Sequence, residues 1–177
     1  MTAPRFVCFA LLASFLWSGC SNVTFTEPMP LNRRNLAKFP KKWQGTWTDG
    51  GDMTVVINAN SFEGDDLEKM VLGEDALLRR FHGHLVVNQQ EENGQWSVLL
   101  AKRSKDEFTL WQFDGNDEDA VAVWRSALND SSITSHVSES ELKIESYVLA
   151  PENNAAFRKL ITQGGLTKSF TLRKVNP

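Results

Sequence analysis

Apolar residues recur at every second position in short runs between Gln44 and Phe113, and at every third or fourth position in two later stretches. The first regime predicts strands and the second predicts helices. Gln44-Gly45-Thr46-Trp47-Thr48 is short, aromatic and β-prone, and Asp49-Gly50-Gly51-Asp52 after it signals a turn. From Met53 to Ala59, Met53, Val55 and Ile57 alternate with Thr54, Val56 and Asn58, which is strand periodicity. Between Ser61 and Gly73 the pattern leaves a helical turn or an acidic loop open. Arg80–Gln90 and Gln95–Arg103 read as a hairpin joined through Asn93-Gly94, the strongest short-range turn signal. A two-residue turn there would set Val87 opposite Leu100 and Leu85 opposite Lys102. Glu107–Phe113 reads as the next strand.

From Asp117 to Leu128 the period changes. Ala120, Val121, Trp124, Ala127 and Leu128 form one helical stripe, and Asp117, Glu118 and Asp119 favour the positive end of its dipole. A strand at Glu145–Leu149 precedes a second helix over about 151–163. Pro151 suits its first turn, Phe157, Leu160 and Ile161 form its stripe, and Gly164-Gly165 ends it. Thr167–Val175 reads as a closing strand. A shift of 36 residues carries Trp111 onto Tyr147, Phe113 onto Leu149 and Trp124 onto Leu160. These elements predict an α+β domain: a mostly antiparallel, twisted sheet with two helices, about 117–128 and 151–163, packed on one face.

The amino-terminal stretch has a different character. Arg5 is the only charged residue before Glu27, and Phe6–Trp17 is apolar apart from Ser14. A helix of that length spans about 18 Å, short of the roughly 30 Å hydrocarbon core, so the segment suits an export signal better than a permanent span. The run Leu16-Trp17-Ser18-Gly19-Cys20 resembles a bacterial lipoprotein lipobox, with Trp17 where that family prefers Leu. The resemblance implies diacylglyceryl modification of Cys20 and cleavage after Gly19. It also implies anchoring in the bacterial cell envelope through amino-terminal acyl chains. Ser21, rather than Asp, directs the expectation to the outer membrane. The expected organisation is therefore a signal peptide at 1–19, a lipidated Cys20 with a flexible Pro28- and Pro30-bearing tether to residue 38, and one globular domain at 39–177.

Composition narrows the function classes. The 177 residues carry 19 Lys and Arg against 22 Asp and Glu, a net charge of −3, so no basic excess exists to grip nucleic acid. Losing residues 1–19 removes Arg5 and no acid, leaving 18 bases against 22 acids and a net charge of −4. The chain has 2 cysteines, and Cys8 lies within the leader, so the body after Cys20 can hold neither a disulfide nor a cysteine metal site.

Candidate chemistry is sparse. His82-Gly83-His84 on a strand would put both rings on one face, the beginning of a zinc or copper site, but no third ligand follows by spacing. A solvated polar face is the simpler reading, and no cofactor is expected. Asp114–Asp119 lacks the Gly and Glu of a calcium loop and reads as a turn and helix cap. Five tryptophans follow the leader. Trp96 and Trp124 fall on core faces, whereas Trp43 and Trp47 are candidate ligand contacts. Gly45-Thr46-Trp47 resembles the lipocalin entry motif. That resemblance implies a β-barrel, an apolar small-molecule ligand, and Arg173 from the last strand covering Trp47. Three functions therefore stand: a non-catalytic envelope lipoprotein that binds a partner protein or envelope component, a lipocalin-like carrier, and an envelope hydrolase using His82, His84 or His136 beside acids.

Overall fold

The computed structural model describes residues 22–64, 67–137 and 144–175, and within them the apolar alternation becomes one mixed sheet. Its strands are β1 (Asn22–Phe25), β2 (Gly45–Thr48), β3 (Thr54–Ile57), β4 (Ser61–Gly64), β5 (Leu67–Val71) and β6 (Ala76–Phe81). They continue as β7 (His84–Gln90), β8 (Trp96–Ser104), β9 (Glu107–Gln112), β10 (Ile133–Val137), β11 (Ile144–Leu149) and β12 (Thr167–Lys174). Two α-helices, α1 (Glu118–Ala127) and α2 (Asn154–Thr162), and two short 3₁₀ turns, Lys41–Trp43 and Asp130–Ser132, complete the described elements, so the α+β class holds. The ladders are antiparallel except for β1 beside β11.

The strand order explains two separate cores. Consecutive pairings link β2, β3, β4 and β5, while β6, β7, β8, β9, β12 and β2 form another continuous series. The sheet stays open, because β5 and β6 share only the isolated bridge Leu72–Ala76 in place of a ladder. A closed lipocalin-like barrel is therefore not formed. One side of this meander gathers Trp47, Val55, Ile57, Leu78, Leu85, Val87, Ala101, Phe108 and Leu172. A second cluster joins Val86, Val98 and Leu100 to Phe25 of β1, to Tyr147 and Leu149 of β11, and to Ala120, Val121, Trp124, Ala156, Phe157 and Leu160. Strands buried on both faces need apolar residues at both parities, which explains the unbroken Leu85-Val86-Val87 run.

Both helices start on polar caps. Asp117 accepts from the Ala120 N–H (3.1 Å), and Asn153 accepts from the N–H groups of Ala155 and Ala156 (2.9 and 3.0 Å). The caps and helix starts obey the 36-residue shift, but the preceding strands do not share surroundings. β9 has antiparallel neighbours on both sides, whereas β11 lies parallel to β1. Pro151 precedes the cap rather than occupying the first turn of α2.

Three expectations are corrected. The segment 22–38 is not a tether: Asn22–Phe25 forms β1 between β11 and β8, with Phe25 at 0% and Met29 at 1% exposure. Its few apolar residues lack a period because each fills a different place in the core. Buried polar groups lock it down. Arg79 donates to the carbonyls of Pro28 and Pro30 and to Asn35 Oδ1, while Asn88 bonds both the N–H and the carbonyl of Met29. Burial pushes the Arg79 guanidinium below its ordinary value, and the charge of Glu27 pulls the other way.

The β7–β8 hairpin is one residue out of the expected register, with Val87 opposite Leu99 and Leu85 opposite Ala101. The Glu91 N–H donates to the Gln95 carbonyl (2.8 Å) and Gly94 has φ 81°, so the loop is a three-residue turn ending in a left-handed glycine. Packing favours this register. Val87 and Leu99 meet on one face, Val86 and Leu100 on the other. Finally, the long strand expected from Arg80 to Gln90 is two strands, folded at His82-Gly83 with φ 45° and 82°.

Candidate functional site

That second turn places the site. The residues of β6 facing the meander interior run Ala76, Leu78, Arg80, and those of β8 run Leu99, Ala101, Arg103. In each row two apolar residues lead up to a terminal cation. Ladder pairing sets Arg80 opposite Leu85 and Arg103 opposite Phe108, so both arginines stand where the apolar interior meets solvent. The 3₁₀ turn Lys41–Trp43 brings Lys42 and Trp43 to the same place. Together with the His82–Leu85 corner they line a cleft of about 310 Å³.

The cleft is cationic and amphipathic. Lys42, Arg80 and Arg103 line it, no carboxylate does among the described residues, and Trp43, Phe81 and Leu85 supply apolar wall. Neither Lys42 nor Arg80 forms an ion pair with a described carboxylate. Arg103 has one long pair to Asp106 (3.9 Å), its guanidinium carbon lies 5.7 Å from the Trp47 ring centre, and its buried Nε lacks a hydrogen-bond partner. Such a buried donor carries a desolvation cost that an acceptor would relieve.

The histidines are placed differently from the sequence expectation. His82 is in the turn and His84 opens β7, so they do not share a strand face. The His82 ring packs edge-on against Phe81 (4.5 Å) and the His84 ring against Trp111 (5.7 Å). Burial pushes the His84 imidazole below its ordinary value, and the positive charge of Lys102 adds to this. The contact with the His82 carbonyl (3.1 Å) opposes both. The net direction favours the neutral form of His84, and Lys42, Arg80 and Arg103 are the basic side chains that line the cleft. Among the described residues no group of three His, Cys, Asp or Glu side chains is placed to hold a metal ion. His136 lies exposed on β10, an edge strand of the sheet, and does not line the cleft.

The tryptophan pair separates. Trp43, at 5% exposure, forms cleft wall. Trp47 is at 0%, donates its indole N–H to the Trp43 carbonyl (2.8 Å) and stacks edge-on with Phe108 (4.8 Å), so it serves the core. Lys174, its partner across the β2–β12 ladder, and not Arg173, lies against its ring at 5.6 Å. Arg173 bonds Glu107 instead (2.7 Å). The interior beneath the cleft is filled by Phe39, Phe62, Met70, Leu85, Phe108 and their neighbours, leaving about 20 Å³. A carried small molecule needs roughly 300 Å³ or more. Asp114 and Asp117 act as a turn and a helix cap, with Asp114 Oδ1 accepting from the Asn116 N–H (2.9 Å).

Sequence reasoning missed Lys42, Arg80 and Arg103. The signal for two of them was parity, since a cation closing an otherwise apolar inward row is readable once the strand's inward face is known. No protein-family model, curated protein or solved structure matches the chain.

Proposed function

We propose that the chain is an exported lipoprotein, acylated at Cys20 and held in the bacterial cell envelope at the outer membrane, whose folded part is a non-catalytic binding module. The cationic cleft supports the binding half. It concentrates three basic side chains on a body that is acidic overall, and such local fields select anionic ligands. The lipobox-like run ending at Cys20 supports the anchoring half. Two or three acyl chains hold a protein firmly without a spanning helix, and no helix among the described residues is long and apolar enough to cross a membrane.

Because β1 starts two residues after Cys20, an anchored domain would rest close to the headgroups. An extended 18-residue tether could instead have lifted it by up to roughly 60 Å. We further infer that both helices cover the same side of the sheet, since their stripes join one cluster with Phe25, Val98, Leu100 and Leu149.

The test is palmitate labelling with membrane fractionation of the wild type and Cys20→Ser. The expected result is labelled wild type in the membrane fraction, with label and membrane retention both lost in the variant. Unlabelled wild type carrying a free Cys20 thiol would overturn the anchoring.

A further inference from the structure

We propose that the cleft binds a phosphate ester, its phosphate held by Arg80, Arg103 and Lys42 and its organic group laid against Trp43 and Leu85. The proposal rests on the reading of the domain as a binding module and names the ligand class of that site. Charge selects the anion. Three cations line the cleft among the described residues with no lining carboxylate, and the single ion pair, from Arg103 to the exposed Asp106, is long. A monocarboxylate would leave most of that charge uncompensated, whereas phosphate oxygens accept several guanidinium and ammonium donors together. The Arg103 guanidinium lies over the Trp47 ring while its buried Nε–H stays unsatisfied.

Size and wall chemistry select the ester. About 310 Å³ is far more room than a bare phosphate ion fills and is at the lower end of small-molecule sites. Trp43 offers aromatic surface beside the cations, suited to a small carbon skeleton attached to the phosphate. The same chemistry occurs in a soluble phosphomonoester and in the phosphodiester of a lipid headgroup.

Isothermal titration of the purified full chain with glycerol 3-phosphate, glycerate and glycerophosphoglycerol separates the possibilities. The expected result is saturable one-site binding of a phosphate ester, with glycerate at least tenfold weaker. Arg80→Gln and Arg103→Gln should each weaken binding by about tenfold or more, the scale of one charge-assisted hydrogen bond. Lys42→Gln, on an exposed turn outside the sheet, gives a second test in a variant with little to lose in folding, and should weaken it in the same direction. Tighter binding of the monoester points to a soluble ligand, and tighter binding of the diester to a lipid headgroup; either supports the proposal. Equal affinity for glycerate, no saturable binding of either ester, or affinity unchanged in all three variants would overturn it. A negative titration with acylated Cys20 rejects the ligand class and leaves the anchored module standing. Ester binding by a chain with unmodified Cys20 does the reverse.

Discussion

Arg79 and Arg80 are adjacent on β6 and point into opposite regions of the molecule. On the Arg79 side, the chain from Pro28 to Asn35 folds over the strand, and the residue is 8% exposed, its guanidinium donating to three oxygen acceptors. On the Arg80 side, the interior row of β6 runs out into a cleft, and the residue is exposed without an ion pair to a described carboxylate. A cation satisfied by backbone carbonyls in the interior serves the fold. One held at the mouth of an apolar row beside two other cations serves recognition. Charge alone does not separate the two; burial and hydrogen-bond supply do.

The largest expected effect breaks the covered side. Phe25→Ala removes a ring at 0% exposure that packs edge-on against Phe113 (4.8 Å) and Phe157 (6.1 Å). A loss of about 3–5 kcal/mol is expected in urea unfolding. A near-neutral result would mean that the amino-terminal segment is a tether after all. Arg79→Ala comes next, since it strands carbonyls of Pro28 and Pro30 away from a donor, with an expected loss on the order of 2–3 kcal/mol. The same readout on Arg80→Ala sharpens the contrast, with an expected change within about 0.5 kcal/mol.

The smallest effect lies at the α1 cap. The Thr167 hydroxyl (2.6 Å) and the Ala120 N–H hold the Asp117 carboxyl below the usual carboxylate range. A carboxyl with a depressed folded pKa contributes stability that is present above its unfolded value, about 3.9, and is lost as pH falls through the folded one. Asp117→Asn keeps a capping oxygen without the titration. Acid unfolding below about pH 4 should therefore be shallower in the variant, which is less stable than wild type at pH 7 and converges with it in acid. Parallel curves across that range would remove Asp117 from the account.

Local signals made much of this fold legible. The helices were readable from their stripes and carboxylate-rich first turn, and β9 and β12 from alternation between turn residues, because each of those patterns is set within a few residues. What stayed hidden depends on distant partners. β1 has four residues and earns its place only from β11 and β8, more than 70 residues away in sequence. The β7–β8 register turned on one glycine closing a three-residue loop, a difference that Asn93-Gly94 alone does not specify. The histidine pair was misplaced because His82-Gly83 is itself a turn, and a left-handed histidine carries little signal in sequence. The cleft was invisible as a cluster, since Lys42, Arg80 and Arg103 come from three segments brought together by the curl of the meander.

The most direct test is Arg80→Ala read two ways in one preparation, urea unfolding and titration with glycerol 3-phosphate. The account predicts a midpoint unchanged within about 0.5 kcal/mol and an affinity lower by about tenfold or more. An unchanged affinity, or a midpoint that falls as far as that of Arg79→Ala, would contradict the division of labour across β6.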